Sequence, residues 1–153
     1  MRAILRAFPA ACLALLLLAC TPLAPDYSVQ AYTNATRIKA GALQLVASSS
    51  QPYRDHADAV AALRLDVDTA YEFAAGLPNN AVSAEQWRRM RDPQGGLLFT
   101  YLDFWAAHPS GVSPALAQEA YGKLAQNFDY IVCLEINKQA ATACPQAATG
   151  STS

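Results

Sequence analysis

Histidine is nearly missing from this sequence: a chain of 153 residues holds two, His56 and His108. Neither belongs to a spaced pair such as HExxH, and no CxxCH run exists. The spacing therefore points to no metal site and to no covalently held haem. Charge of one sign is missing as well, with eleven basic residues against twelve acidic ones. That balance recommends no nucleic acid partner, and no polybasic run is offered to anionic lipid. EF-hand spacing, GxSxG, SxxK and a glycine-rich phosphate loop are all absent, and a serine without its base is only a serine. Asp55, Asp58, Asp66, Asp68 and Glu72 look like a carboxylate cluster, but helical spacing scatters them over a solvated face. The sequence thus offers no enzyme signature, no catalytic residue and no cofactor. No uninterrupted apolar run approaches the roughly 20 residues that a bilayer span requires.

What is present begins at the first residue. Arg2 and Arg6 precede an apolar run from Ala10 to Ala19, with Pro9 at its start. A basic segment, an apolar segment and a small residue at the cut form the pattern of a secretory signal. The run ends Leu17-Leu18-Ala19-Cys20, which resembles the lipobox of bacterial lipoproteins. The resemblance implies that residues 1–19 are removed and that Cys20 takes a diacylglyceryl thioether. Its amine is then acylated, with palmitate the expected chain. Two or three acyl chains anchor stably where one would not. Thr21 stands where an aspartate commonly signals inner-membrane retention in this class, so the expectation is the outer membrane, facing the periplasm. The partners implied are the membrane, through the lipid, and an envelope protein.

Cleavage leaves Cys20 to Ser153, enough for one domain with a real core. Residues 20–25, with two prolines, read as a tether, 26–138 as a helical domain, and 139–153 as a small, polar, flexible tail. Asp26 is the expected N-cap of a first helix over 27–47, with Ala31, Ala35, Ile38, Ala42, Leu45 and Val46 on one stripe. A second helix is expected over 53–77, stopped by Gly76-Leu77-Pro78-Asn79-Asn80. Ser83 with Gln86 suggests a capping box opening a third helix. Asp92-Pro93-Gln94-Gly95-Gly96 should break that helix before Leu97–Ala107 resumes it. Ser113 caps a last helix with Pro114 at its first position, running to about Asn137 or Lys138 with Tyr121, Leu124 and Phe128 inward. No strand and no internal repeat is evident. The expected fold is all-α: an antiparallel up-down bundle of four helices, the third broken at 92–96. It resembles the small helical-bundle lipoproteins of bacteria that carry no assigned activity.

Three constellations stand out. Glu135 falls in line with Leu124, Phe128 and Ile131, and a buried carboxylate is costly unless paired. Tyr71, Asn34, Trp87, Arg88 and Arg91 are its candidate partners, and a site near Glu135, Tyr71 and Arg91 would serve a small ligand or catalysis. The other readings of Glu135 are a core polar pair and an exposed end. Cys133 and Cys144 form an even pair in an oxidising compartment. In a continuous helix their eleven residues would span about 16 Å, so a bridge requires the helix to stop near Lys138 and the tail to return. Free thiols and an intermolecular bridge are the alternatives. Phe99 and Phe104 point away from the inward face of Leu98, Tyr101, Leu102 and Trp105. They mark a possible docking surface beside Arg88, Arg89 and Arg91. The first functional expectation is a lipid-anchored, non-enzymatic interaction or scaffolding module.

Overall fold

A computed structural model describes residues 26–138 together with Cys144 and Pro145. The signal, the tether and most of the tail lie outside the described residues. All regular structure among the described residues is helical: α1 (Val29–Ala47), α2 (Ala57–Gly76), α3 (Ala81–Arg91), α4 (Leu98–Ala107) and α5 (Pro114–Ile136). No helix among the described residues is long and apolar enough to cross a membrane.

The helix starts follow side-chain chemistry, not always at the expected residue. Ser28, not Asp26, caps α1, its hydroxyl accepting from the Ala31 N–H at 3.2 Å. Pro52 is extended, and the chain makes a 3-10 turn over Tyr53–Asp55 before α2 begins, four residues later than expected. The capping box at Ser83 is overturned: α3 already starts at Ala81, and Ser83 lies buried inside it. Ser113 and Pro114 open α5 as the sequence suggests, the Ser113 hydroxyl accepting from the Leu116 N–H at 3.3 Å. Between α3 and α4, Thr100 clamps the break, its hydroxyl donating to the Pro93 carbonyl and accepting from Gly96 N–H.

Ion pairs fix the register. Arg37 of α1 makes two contacts to Asp66 of α2, at 2.6 and 2.9 Å. Counted from the start of α1 and the end of α2, these residues sit at heights of about 12 and 15 Å at 1.5 Å per residue. Arg91 near the end of α3 meets Asp68 of α2 at 2.9 Å, and Lys39 of α1 meets Asp129 of α5. The same arithmetic puts the start of α1, the end of α2, the start of α3 and the end of α5 at one end of the molecule. α4 continues in the direction of α3. Its Asp103 meets Arg64 at 2.5 Å, while Trp105 packs on Tyr53 and His56 at the other end.

The core runs the length of this stack, with Ile38, Met90, Leu98, Leu102, Trp105, Leu124 and Phe128 fully buried. Tyr121 is the exception to the expected inward stripe and lies on the surface. At the far end two loops lock together. Buried Ser49 meets the Tyr101 hydroxyl at 2.5 Å, its carbonyl accepts from Val112 N–H, and Trp105 donates to the Gln51 carbonyl. Gly111, at φ +103°, is pressed so close that a Cβ would lie 2.4 Å from the Ser50 carbonyl oxygen.

Candidate functional site

A densely connected polar centre lies where α2 ends, α3 starts and α5 ends. α5 stops at Ile136, and Asn137 closes its last turn by donating to the Cys133 carbonyl through both its backbone and its side chain. The chain then turns Lys138 inward. Its ammonium lies 2.6 Å from Glu135 Oε2, 2.7 Å from Asn80 Oδ1 and 2.9 Å from Ser83 Oγ. Asn80 passes the connection on, its Nδ2 donating to the Ala74 carbonyl in the last turn of α2 at 2.9 Å. All four polar side chains are buried.

This arrangement meets the cost of burying two charges by pairing them and adding polar neighbours. The pairing is incomplete. The contact to Oε2 is an ion pair outside hydrogen-bond geometry, and Oε1 has no hydrogen-bond partner among the described residues. Ser83 and Lys138 lie at the spacing of a serine with a lysine beside it, and the same Nζ is shared with Glu135 and Asn80. The centre ties together the end of α2, the start of α3 and the end of α5.

A disulfide secures the same corner. Cys133 and Cys144 are bonded, with Cα atoms 5.7 Å apart, and Cys144 is buried. The end of α5 at Ile136 allows this closure, since a helix continued to residue 144 would hold the sulfurs apart.

The expected site of Glu135, Tyr71 and Arg91 does not assemble. Arg91 lies over the Tyr71 ring at 4.4 Å and pairs with Asp68 and, at 3.4 Å, with Glu72. The reason is height: Arg91 is ten residues into α3, about 15 Å above its start, whereas Glu135 is level with that start. The other candidates are engaged elsewhere. Asn34 accepts from Gln30, Trp87 packs edge-on against Phe128, and Arg88 pairs with Glu85. The signal that could have led to the true partner was the i, i+3 spacing of Glu135 and Lys138.

The two phenylalanines separate. Phe99 is buried, with the Arg64 guanidinium 4.5 Å from its ring centroid, so it offers no docking surface. Phe104 is exposed, its ring stacked on His108 at 4.0 Å. It borders a groove of about 240 Å³ between α4 and α5, whose floor includes Leu116 and Ala120 and whose rim carries Glu119 and Lys123. A second groove, about 420 Å³, runs between α1 and α2 past Arg37, Gly41 and His56. His56 Nε2 lies 2.9 Å from Gln51 Oε1. Among the described residues no three His, Cys, Asp or Glu side chains group as metal ligands do.

The hydrogen bond from Arg37 holds the Asp66 carboxyl below its ordinary value, and Arg88 does the same for Glu85. Burial pushes the Tyr101 phenol up, opposed by its hydrogen bond with Ser49. These shifts belong to surface pairing and to the locked loops.

Comparison with family models, with curated proteins and with solved structures gives no match.

Proposed function

We propose that this chain is a lipid-anchored protein of the bacterial cell envelope, held at Cys20 and facing the periplasm from the outer membrane. Its helical domain acts as a non-enzymatic interaction or scaffolding module. The observation that carries the reading is the leader: Arg2 and Arg6, an apolar run, and Leu17-Leu18-Ala19-Cys20. The Cys133–Cys144 bond supports it, because disulfides form and persist in oxidising compartments such as the periplasm. We read α3 and α4 as one element broken at 92–96, which makes the domain an up-down bundle of four. In that reading Phe104 and the neighbouring groove are the side surface offered to a protein partner.

Proximity crosslinking of the full-length protein in its native membrane, followed by mass spectrometry, tests the module. A defined set of envelope partners, lost in Cys20→Ala, is expected. The same unspecific neighbours with and without the lipid would refute it.

A further inference from the structure

Among the described residues seven large apolar side chains are exposed. Four of them belong to one end of the molecule: Tyr27 (53 % exposed), Val29 (66 %), Val82 (52 %) and Ile136 (53 %). Tyr27 and Val29 lead into α1, Val82 is in the first turn of α3, and Ile136 is the last residue of α5. The other three, Leu65, Phe104 and Tyr121, are spread over the sides and the far half.

Charge is thin at the rim of this end: the nearest exposed carboxylates besides Asp26 are Glu72 and Glu85, each four residues, about 6 Å, back along α2 and α3. Lys138 and Glu135 are buried against each other, which withdraws both charges from the surface. The chain on either side, Thr21–Pro25 and Gln139–Ser153, contains no Asp, Glu, Lys or Arg, so Asp26 is the one exposed charge at the start of α1. A rim of tyrosine and aliphatic side chains matches the headgroup region of a bilayer, where amphipathic aromatics and apolar groups partition together.

The length of the tether selects the occupant. Five residues separate Cys20 from Asp26, and even fully extended that stretch reaches only about 20 Å. A lipid on Cys20 therefore keeps the start of α1 within that distance of the membrane surface. The apolar end is the end that the anchor presents to the lipid, while Leu65, Phe104 and Tyr121 are carried away from it.

We infer that this end, with Tyr27, Val29, Val82 and Ile136 at its rim, docks onto the bilayer surface and holds the helices upright on the membrane. The inference rests on the anchor at Cys20. It goes beyond the anchor by assigning a second, non-covalent membrane contact and an orientation, with the α4–α5 groove turned to the periplasm.

The test introduces a benzophenone side chain singly at Val82, Ile136, Leu65 and Phe104 in the full-length protein, irradiated in its native membrane. The mass of the Cys20 peptide is measured in the same samples, and circular dichroism checks that each variant is folded. Lipid adducts at 82 and 136, and none at 65 or 104, are expected on a lipidated Cys20. Protein adducts, or no adducts, at 82 and 136 with Cys20 still lipidated would overturn the docking while leaving the anchor intact. Equal lipid labelling at all four positions would overturn the orientation. An unmodified Cys20 would remove the anchor, and the inference with it.

Discussion

Replacing Lys138 by methionine removes the ammonium from the polar centre with little change in volume. Glu135, 1 % exposed at its side chain, would then be a buried carboxylate with no counter-charge, and Asn80 Oδ1 and Ser83 Oγ would each lose a donor. Breaking a buried pair by removing one partner costs about 3–5 kcal/mol. Total stability for a domain of this size is about 5–15 kcal/mol, so a large fraction is at stake. At about 4 °C per kcal/mol, Lys138→Met lowers the midpoint by about 12–20 °C. Glu135→Ala also destabilises, leaving the ammonium unpaired. The double variant Glu135→Ala/Lys138→Met removes both charges and recovers about 2 kcal/mol relative to the sum of the two single losses. The assay is thermal and urea unfolding of the purified full-length protein, followed by helical circular dichroism with the disulfide intact. Single variants within about 0.5 kcal/mol of the parent would refute the reasoning, since they would show the pair to be solvated.

Other perturbations test other joints. Gly111→Ala should cost about 1–3 kcal/mol, because its φ and its approach to the Ser50 carbonyl leave no room for a Cβ. Gly122→Ala, inside α5 with nothing within 4 Å of the new Cβ, should instead add about 0.5–1 kcal/mol. Unfolding curves of the two give opposite signs. Opening the Cys133–Cys144 loop as Cys133→Ser/Cys144→Ser should lower stability by about 3 kcal/mol in the chain-entropy account, read from the urea midpoint. The Asp66 carboxyl is held below its ordinary 3.8 by Arg37. The pair therefore contributes fully above that value, and its contribution is lost as pH falls from there through the lower folded value. Both partners are largely exposed, so the contribution is at most about 1 kcal/mol. Melts of Asp66→Asn against the parent should differ at pH 7 and close on one another only as pH falls below 3.8 through the lower folded value. A difference that persists or grows in acid would contradict the assignment.

Much of the helical layout was legible because it rests on local rules. Ser113-Pro114 opens α5, Asp92-Pro93-Gln94-Gly95-Gly96 separates α3 from α4, and the expected stripe of α1 is buried at Ala31, Ala35, Ile38, Ala42 and Val46, with Leu45 half-buried and Leu43 taking the inward place. Errors arose where two residues could meet the same local need. Asp26 and Ser28 are both competent caps, and the hydroxyl of Ser28 is the one three residues before the first buried alanine. Ser83 has the pattern of a capping box, but its hydroxyl is taken by Lys138, more than fifty residues away in sequence. No local signal announces such a contact. Phe99 was misplaced because a helical wheel knows nothing of Arg64, whose guanidinium covers that ring from α2. Tyr71 and Arg91 were grouped with Glu135 because the end of the second helix and the start of the third share its level. α3 starts at Ala81 and carries Arg91 a full ten residues away from that level.

One mass spectrum addresses the proposal at its root. The protein is taken from the membrane fraction of cells expressing the full sequence, and its N-terminal peptide is weighed beside that of Cys20→Ala. A peptide beginning at Cys20 and carrying a diacylglyceryl group with an acylated amine is the expected result, with the variant neither cleaved at that bond nor lipidated. An N-terminus other than Cys20, or a Cys20 with a free thiol, would contradict the anchor and every orientation argued from it.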